Sequence, residues 1–454
     1  MSTKKLKTLD ATMLVMGSMI GSGIFLVSAE VYRLVGNTSL MLGTWLLTCF
    51  LTITGAYAYS KLSTEFPKTG GQYIYLKEAY SPLTGFLFGW STFLVIQTGT
   101  IAAVAVAFAK YTGYMFPNVI NDSAIFLGTI SSQQLLAVGS IVLLTFINLK
   151  GVQMASLVQN VFTFSKIASL LFLLAIGLFF GFQNGWIHLE NPFSQPQLYH
   201  EDSKQFEPLS LFMTISMFGA AMIGPLFSSS AWNNLTFASQ DFENPKSTIG
   251  KGLVYGTILV CGIYFLTNVA YLGILSPKEI MFAEQDRIGS AALEVAFGPV
   301  GATLMAIMIM VSTFGCNNGI ILSGGRLFEA MAHDKLFFKI AAKQNAVGVP
   351  KYSLLIQCIW ASLLCFSGSY NQLLDFTVFA ILIFYFLTVL ILFNKKVYAN
   401  DLSKLQMILF VAYLIILLAI SVNLLIAKTT PSLIGLLIVL SGIPVYYLFQ
   451  KATK

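Results

Sequence analysis

The chain has 454 residues, of which 56% are apolar and only 10% are charged, a balance that excludes an ordinary soluble globular protein. Its net charge of +7 does not indicate a nucleic-acid partner, because the lysines and arginines occur in short, separate groups between apolar runs. The composition predicts a polytopic membrane protein that is solvated mainly by the lipid bilayer.

Twelve apolar runs are long enough to cross a bilayer at about 20 residues per crossing. They cover residues 9–35, 39–65, 83–114, 132–149, 155–182, 209–238, 248–274, 290–332, 352–368, 371–393, 403–427 and 431–450. With the N-terminus inside, nineteen of the 26 lysines and arginines fall on the cytoplasmic side, six fall outside and one lies within the membrane. We expect an all-α membrane protein with 12 transmembrane helices in the cell (inner) membrane and both termini in the cytoplasm.

The first span contains an unusual stretch, Gly17–Phe25, with three glycines and two serines. Glycine costs a helix interior roughly 1 kcal/mol relative to alanine, so this stretch predicts a break in the helix at residues 21–23. An interrupted helix at mid-membrane depth is typical of a transporter binding site. Close helix packing through small residues is the alternative. The N–H groups freed around Ser22, Gly23 and Ile24 suit a carboxylate.

Lys166 is the one basic residue in the middle part of a predicted span, since the others within span ranges lie near span ends. It lies about twelve residues into the fifth span, which places it roughly 18 Å along the helix at about 1.5 Å per residue. A charge at that depth is costly, so Lys166 is a candidate functional residue. The alternative is a lysine whose amine reaches back to a membrane interface.

The sixth span has a second interruption, at Phe218–Asn233, which includes Pro225 and a run of serines. Proline removes a helical donor and disrupts the preceding turn. Breaks in the first and sixth spans predict two repeats of opposite topology whose breaks meet near the membrane midplane. We assign residues 1–182 to the first repeat, 183–393 to the second, and 394–454 to the last two spans.

The carbonyls freed at the two predicted breaks suit an ammonium group. They belong to Ile20, Gly21, Phe227, Ser228 and Ser230. Together with the freed N–H groups, they can hold both ends of an α-amino acid by backbone contacts. Because the middle parts of the spans contain no Asp or Glu, the pattern favours a neutral, zwitterionic substrate.

Other classes of function have little support in the sequence. The five cysteines all lie inside apolar spans without a CxxC pair, and no catalytic or metal-binding motif occurs, so we expect no metal, no cofactor and no enzymatic activity. A receptor or a membrane enzyme would need a soluble domain or a catalytic cluster, whereas the longest loop has about 26 residues.

Five motifs, in this order and spacing, resemble the amino acid–polyamine–organocation (APC) superfamily, and within it the L-type amino acid transporters (the LAT family). They are Gly21–Phe25, Phe66–Tyr75, Asn160–Lys166, Phe227–Leu235 with Glu243–Pro245, and Ser312–Gly315 with Asn318, Gly319 and Arg326. The resemblance covers nearly the whole chain. It implies the 5+5 inverted-repeat (LeuT-like) fold with helices 1 and 6 broken, and sodium-independent exchange of amino acids by alternating access. A proton-coupled symporter, with Lys166 cycling its proton, remains an open alternative.

The resemblance also implies roles for individual residues. The predicted substrate-binding residues are Ile20, Gly21, Ser22, Gly23, Ile24, Phe227, Ser228, Ser229, Ser230 and Trp232. The predicted gating and coupling residues are Lys166, Ser312, Gly17, Phe227 and Asn233. Phe227 aligns with the aromatic residue that closes over the substrate from outside. Lys166 stands where sodium-coupled relatives hold a sodium ion, with Ser312 or a carbonyl near Gly17 as its hydrogen-bond acceptor.

The chain departs from the L-type pattern at several positions. Ser228–Ala231 replaces a small residue, an aromatic residue and two glycines, which leaves the size and polarity of the substrate side chain open. Eukaryotic L-type members pair with a heavy chain through a cysteine in the external loop after the third span. That loop, Met115 to Ser131, contains no cysteine here, so we expect no disulfide-linked partner.

Overall fold

The computed structural model describes residues 5–126, 130–187, 195–200, 203–367 and 370–451. The α-helices are α1 (Thr8–Met19), α2 (Val27–Val35), α3 (Thr38–Glu65), α4 (Gln72–Ala79), α5 (Pro82–Ser91), α6 (Gln97–Met115), α7 (Ser132–Leu149), α8 (Val152–Gln183), α9 (Leu211–Ala221), α10 (Ile223–Ser228), α11 (Pro245–Ile274), α12 (Pro277–Met281), α13 (Ile288–His333), α14 (Lys351–Leu364), α15 (Tyr370–Leu390), α16 (Lys404–Ala427) and α17 (Thr429–Lys451). Two short antiparallel hairpins, β1 (Ala124–Phe126) with β2 (Ile130–Ser131) and β3 (Gln197–His200) with β4 (Gln205–Pro208), are exceptions to the all-α prediction.

The helices form a membrane-spanning bundle. Among the described residues, nine helical segments are long and apolar enough to cross a membrane, and two further apolar helices, Lys351–Leu364 and Thr377–Phe393, are shorter. Large apolar side chains point outward along them, as in α16, where Leu405, Ile408 and Ile415 are exposed. Such a surface suits lipid rather than water. The count of twelve spans and the division into two repeats stay predictions.

Two helices are interrupted near the middle of the bundle. Helix α1 ends at Met19, the backbone becomes extended at Ile20, and a short 3-10 turn at Gly23–Phe25 leads into α2. Helix α10 ends at Ser228 and is followed by Ala231, whose φ of 67° is left-handed, and then by a 3-10 segment, Trp232–Asp241.

Two further irregularities are not evident from the apolar pattern. The third predicted span is continuous in direction but contains a π-helical segment, Thr92–Ile96, between α5 and α6. The eighth contains a kink within α13, where Gly298 has a φ of 67° and Pro299 follows it. Pro299 has no N–H to donate and its ring disturbs the preceding turn, which explains the kink.

One end of the bundle, which we call the N-terminal end, is closed by backbone pairing and ion pairs. The Leu6 N–H donates to the Asp241 carbonyl (2.9 Å), and the Glu243 N–H donates to the Leu6 carbonyl (2.8 Å), forming an isolated parallel bridge. Arg326 of α13 donates to both Asp241 (3.2 Å) and Glu329 (3.1 Å). The start of α1 is therefore tied to the chain that follows the second interruption.

The opposite end, which we call the distal end, has its own ion pairs. Arg33 of α2 contacts Asp286 at 2.8 Å. The Lys428 amine at the end of α16 lies 3.8 Å from Glu30 of α2 and 3.6 Å from Asp375 of α15. These contacts hold α2 against α15, the end of α16 and the segment before α13, at the end opposite to the Leu6 bridge.

Candidate functional site

A cavity with about 260 Å³ of empty space lies between the two interruptions and the neighbouring helices α6 and α13. Its lining residues are Ser18, Met19, Gly21, Ser22, Gly23, Thr100, Val104, Phe227, Ser228, Ser230, Ala231, Cys316 and Ile320. The interruptions touch directly, because a Cβ placed on Gly23 would collide with the Ser228 side chain and lie 3.0 Å from the Ser228 Cα. Only glycine permits this close approach of the two backbones.

The first interruption provides backbone donors. Within its 3-10 turn, the Phe25 N–H donates to the Ser22 carbonyl and the Leu26 N–H to the Gly23 carbonyl. Among the described hydrogen bonds, the N–H groups of Gly21, Gly23 and Ile24 have no backbone acceptor. They precede α2, so the positive end of that helix points to the same place. This arrangement suits an anionic group such as a carboxylate.

Lys166 is fully buried, with 0% of its surface exposed, and it contacts the first interruption. Its amine donates to the carbonyls of Gly17 (2.6 Å) and Ile20 (2.7 Å). The Ser312 hydroxyl of α13 lies 3.4 Å from the carbonyls of both Ile20 and Gly21. Lys166 and Ser312 thus meet at the Ile20 carbonyl, instead of bonding to each other. This geometry does not fit a lysine that reaches for a membrane interface.

Side chains of α11 and α13 donate hydrogen bonds to the neighbouring carbonyls. The Cys316 thiol of α13 contacts the Ser18 carbonyl at 3.0 Å. The Tyr264 hydroxyl of α11 lies 2.8 Å from the Met19 carbonyl and 3.3 Å from the Ser228 carbonyl. Tyr264 therefore links the two interruptions. Each carbonyl from Gly17 to Ile20 has a side-chain donor, which satisfies groups that hydrocarbon would not tolerate unpaired.

The carbonyls open to a ligand are fewer than the sequence predicts. At the second interruption, the Phe227 carbonyl accepts from both the N–H (3.0 Å) and the hydroxyl (2.6 Å) of Ser230. Among the described contacts, the Ser230 carbonyl has no donor, and the Gly21 carbonyl has only the long contact from Ser312. Both residues line the cavity. Gly21 and Ser230 are thus the best-placed acceptors for an ammonium group.

The predicted site residues divide into two groups. Those that line the cavity are Gly21, Ser22, Gly23, Phe227, Ser228 and Ser230, whereas Ile20, Ile24, Ser229 and Trp232 are not part of its described lining. The Trp232 ring instead packs against Tyr59 and Tyr385, with ring centroids 4.8 and 5.2 Å apart.

Sequence reasoning missed the walls that come from other helices. Thr100 and Val104 of α6 and Cys316 and Ile320 of α13 line the cavity. Each pair is spaced by four residues, which places both members on one face of a helix. Such spacing is common in any apolar span, so no signal in the sequence distinguishes these residues.

A second cavity, with about 390 Å³ of empty space, adjoins the first and shares Thr100, Ser230 and Ala231 with it. Its remaining lining residues are Gln72, Phe88, Thr92, Ile96, Gln97, Asn233, Asn234, Phe237, Ile381, Phe384 and Tyr385. The polar members come from α4, the π-helical segment, α6, the 3-10 segment and α15.

Asn233, predicted to act in gating, lies in a polar network beside the second cavity. Its amide donates to the Gln72 side-chain oxygen at 2.9 Å, and Gln72 donates to the Thr388 hydroxyl at 3.0 Å. The Tyr385 hydroxyl donates to the Asn233 oxygen at 3.4 Å. These bonds join α4, the 3-10 segment and α15 between the cavities and the N-terminal end.

Titratable side chains give no sign of a metal centre. Within the described residues, no group of three or more His, Cys, Asp or Glu side chains comes close enough together to hold a metal ion.

Known proteins resemble this chain over nearly its whole length. The family model for amino acid permeases matches residues 6–448. The serine/threonine exchanger SteT of Bacillus subtilis (strain 168) is 28% identical over 459 residues, which cover 99% of this chain and 97% of that protein. The large neutral amino acids transporter small subunit 2 of Homo sapiens is 29% identical over 98% of this chain and 80% of its own length. The b(0,+)-type amino acid transporter 1 of Mus musculus is 26% identical over 98% and 88%.

Proposed function

The chain belongs to the amino acid permease family, and from this premise we propose that it is a sodium-independent exchanger of neutral L-amino acids that works by alternating access. The cavity between the two interruptions is the proposed substrate site. The substrate carboxylate would accept from the N–H groups of Gly21, Gly23 and Ile24, and its ammonium group would donate to the carbonyls of Gly21 and Ser230.

The observation that carries this proposal is the position of the Lys166 amine. The carbonyls of Gly17 and Ile20 and the Ser312 hydroxyl bring three oxygens together at the first interruption. Carbonyl and hydroxyl oxygens suit a small cation, but here the lysine amine donates to two of the three. An ammonium group at this place repels a sodium ion, and it permanently occupies carbonyl oxygens that could otherwise coordinate that ion. This favours transport that needs no sodium.

The lining of the cavity supports a neutral substrate. Among its described residues there is no Asp, Glu, Lys, Arg or His, so a charged side chain would be left without a partner at high cost. Exchange is supported by the relative from Bacillus subtilis, which is named a serine/threonine exchanger.

Proton-coupled symport is the second candidate, and one observation favours it. Lys166 is completely buried and its described hydrogen-bond partners are neutral carbonyls, so its charge has no carboxylate to balance it. A buried ammonium group without a nearby carboxylate is costly in such a place. In this alternative the lysine would gain and lose a proton during each cycle.

The proposal includes the arrangement in the membrane. We place the N-terminal end of the bundle in the cytoplasm, with the chain in the cell membrane, because basic residues concentrate in the loops at that end. We also propose that residues 1–182 and 183–393 are inverted repeats, since the two interruptions lie in the first span of each and touch at Gly23 and Ser228.

The test is uptake of labelled neutral amino acids into proteoliposomes that contain the purified chain. Exchange predicts uptake only when the vesicles contain unlabelled amino acid, with the same rate in sodium and in choline and at two proton gradients. Uptake into empty vesicles driven by a sodium gradient would reject the proposal. Uptake into empty vesicles driven by a proton gradient would favour symport.

A further inference from the structure

Asn234 is a buried side chain with an unused hydrogen-bond donor. Only 4% of the residue is exposed, and its side-chain nitrogen has no acceptor among the described residues. It belongs to the lining of the second cavity. A buried amide left unpaired costs about 1–3 kcal/mol, so its persistence beside an open space indicates that something else pairs with it.

The hydroxyl groups in the same cavity have the opposite character. Thr92 donates to the Phe88 carbonyl (2.7 Å), and Thr100 donates to the Ile96 carbonyl (2.6 Å). The Ser230 hydroxyl likewise donates to the Phe227 carbonyl, three residues earlier in the chain (2.6 Å). Because each hydroxyl proton is used in this way, these oxygens present only their lone pairs to a ligand.

The cavity thus combines one free amide donor with several acceptors, and apolar side chains such as Phe88, Phe237 and Ile381 form the rest of its walls. Its described lining contains no Asp, Glu, Lys, Arg or His. Hydroxyl and carboxamide groups both donate and accept, so they satisfy Asn234 whichever way its amide is turned.

We propose that the second cavity receives the side chain of the transported amino acid, and that Asn234 selects substrates with a short hydroxyl or carboxamide side chain. The inference rests on the proposed function, because it needs the α-amino and α-carboxyl groups to lie in the first cavity. The shared residues Thr100, Ser230 and Ala231 then mark where the substrate side chain passes from one cavity to the other.

The selection follows from the cost of leaving Asn234 unpaired. An apolar side chain of equal size would fill the cavity, expel water and leave the amide without a partner. A site built to hydrogen-bond its substrate rejects an analogue without the polar group much more strongly than a site that only measures size. We expect about tenfold or greater discrimination in each pair of equal-sized side chains.

The first experiment uses the unaltered chain. Exchange in proteoliposomes is measured as kcat/KM for three pairs of similar shape, namely threonine and valine, asparagine and leucine, and glutamine and methionine. The inference expects the polar member of each pair to be preferred by about tenfold or more. Equal transport of the two members in every pair, or preference for the apolar one, overturns it.

The second experiment exchanges Asn234 for a residue of the same shape. Asn234→Leu should reduce kcat/KM for the polar substrates about tenfold and leave that for valine and leucine unchanged or higher. The control is Gln357→Met, since Gln357 is also a buried amide with an unpaired atom, its oxygen, but is not part of the described lining of either cavity. Its preference ratios should not change.

The outcomes separate the two proposals. If the unaltered chain exchanges no amino acid, the proposed function fails. If exchange occurs but Asn234→Leu lowers transport of all substrates by the same factor, the proposed function stands and the inference fails. If Asn234→Leu does not fold, the substrate pairs measured on the unaltered chain still decide.

Discussion

Lys166 lies in an environment that is costly for a lysine, and Ala231 adopts a backbone conformation that is costly for an alanine. The Lys166 amine is buried among helices and depends on the carbonyls of Gly17 and Ile20. Ala231 has a φ of 67°, a left-handed conformation that residues other than glycine, asparagine and aspartate seldom adopt. Such costs occur mostly at functional sites, where the surrounding structure maintains them.

Lys166→Ala should affect one face of the protein more than the other. The lysine ties the end of α1 to α8, and hydrogen bonds from a charged group are worth roughly 1.5–3 kcal/mol each. Without them, α1 is free to shift, so apparent affinity on the cytoplasmic side and turnover should change together by about tenfold or more. The measurement is side-specific exchange in right-side-out and inside-out vesicles, with the exposed Lys396→Ala as control. Small and equal changes on both faces would mean that Lys166 is only structural.

Ala231→Gly should be neutral or stabilising, by up to about 1 kcal/mol. Glycine has no Cβ to clash in the left-handed region, although it loses more backbone entropy on folding. Ala231→Val should be clearly destabilising, because a β-branched residue is a true outlier at positive φ. The measurement is the midpoint of thermal inactivation in detergent. A valine variant as stable as the glycine variant would contradict the assigned conformation.

At the scale of elements, the site depends on how closely the two interruptions approach each other. The α10 helix meets the 3-10 turn of the first interruption at Gly23 and Ser228. Since the approach involves the Ser228 Cα as well as its hydroxyl, removing the hydroxyl alone cannot make room for a larger residue at Gly23. The two half-helices therefore cannot move independently near this contact.

Gly23→Ala tests this contact. The added methyl group must push the two interruptions apart, so exchange should fall at least tenfold while membrane insertion persists. The matched control is Gly139→Ala in α7, where an added Cβ would meet nothing within 4 Å. Its exchange rate should stay at the unaltered level, and its helix should gain up to about 1 kcal/mol. Equal exchange in the two variants would show that the contact is not needed.

The sequence predicts those features that depend on neighbouring residues. It does not predict contacts or side-chain positions that depend on residues far away in the chain. The break at 21–23, the break before Trp232 and the depth of Lys166 all follow from local composition. By contrast, Tyr264 reaches the Met19 carbonyl from 245 residues away, and apolar periodicity gives no sign of that contact. Trp232 illustrates the same point, because only the positions of Tyr59 and Tyr385 turn its ring away from the cavity.

At the scale of the whole molecule, the chain presents few groups that could attach a covalent partner. The five cysteines, Cys49, Cys261, Cys316, Cys358 and Cys365, are all free and buried. A buried thiol inside a helix bundle is inert towards disulfide exchange.

We therefore predict that the chain works without a disulfide-linked partner. The chain purified alone should exchange amino acids in proteoliposomes, and a reducing agent should change neither its rate nor its mobility on gels. A membrane-impermeant maleimide should label none of the five thiols until the protein is denatured. A partner that is released on reduction of native membranes would contradict this prediction.

The backbone bridge at Leu6 and the contacts of Lys166 together fix the number of residues in helix α1. Helix α1 is fixed by main-chain atoms at both ends, to Asp241 and Glu243 at the start and through Gly17 and Ile20 to Lys166 at the end. One residue inserted or deleted between these points turns the helix end by about 100° and moves it about 1.5 Å, so both anchors cannot be kept. Natural variation should therefore exchange apolar residues along α1 readily, whereas insertions and deletions there should be eliminated by selection.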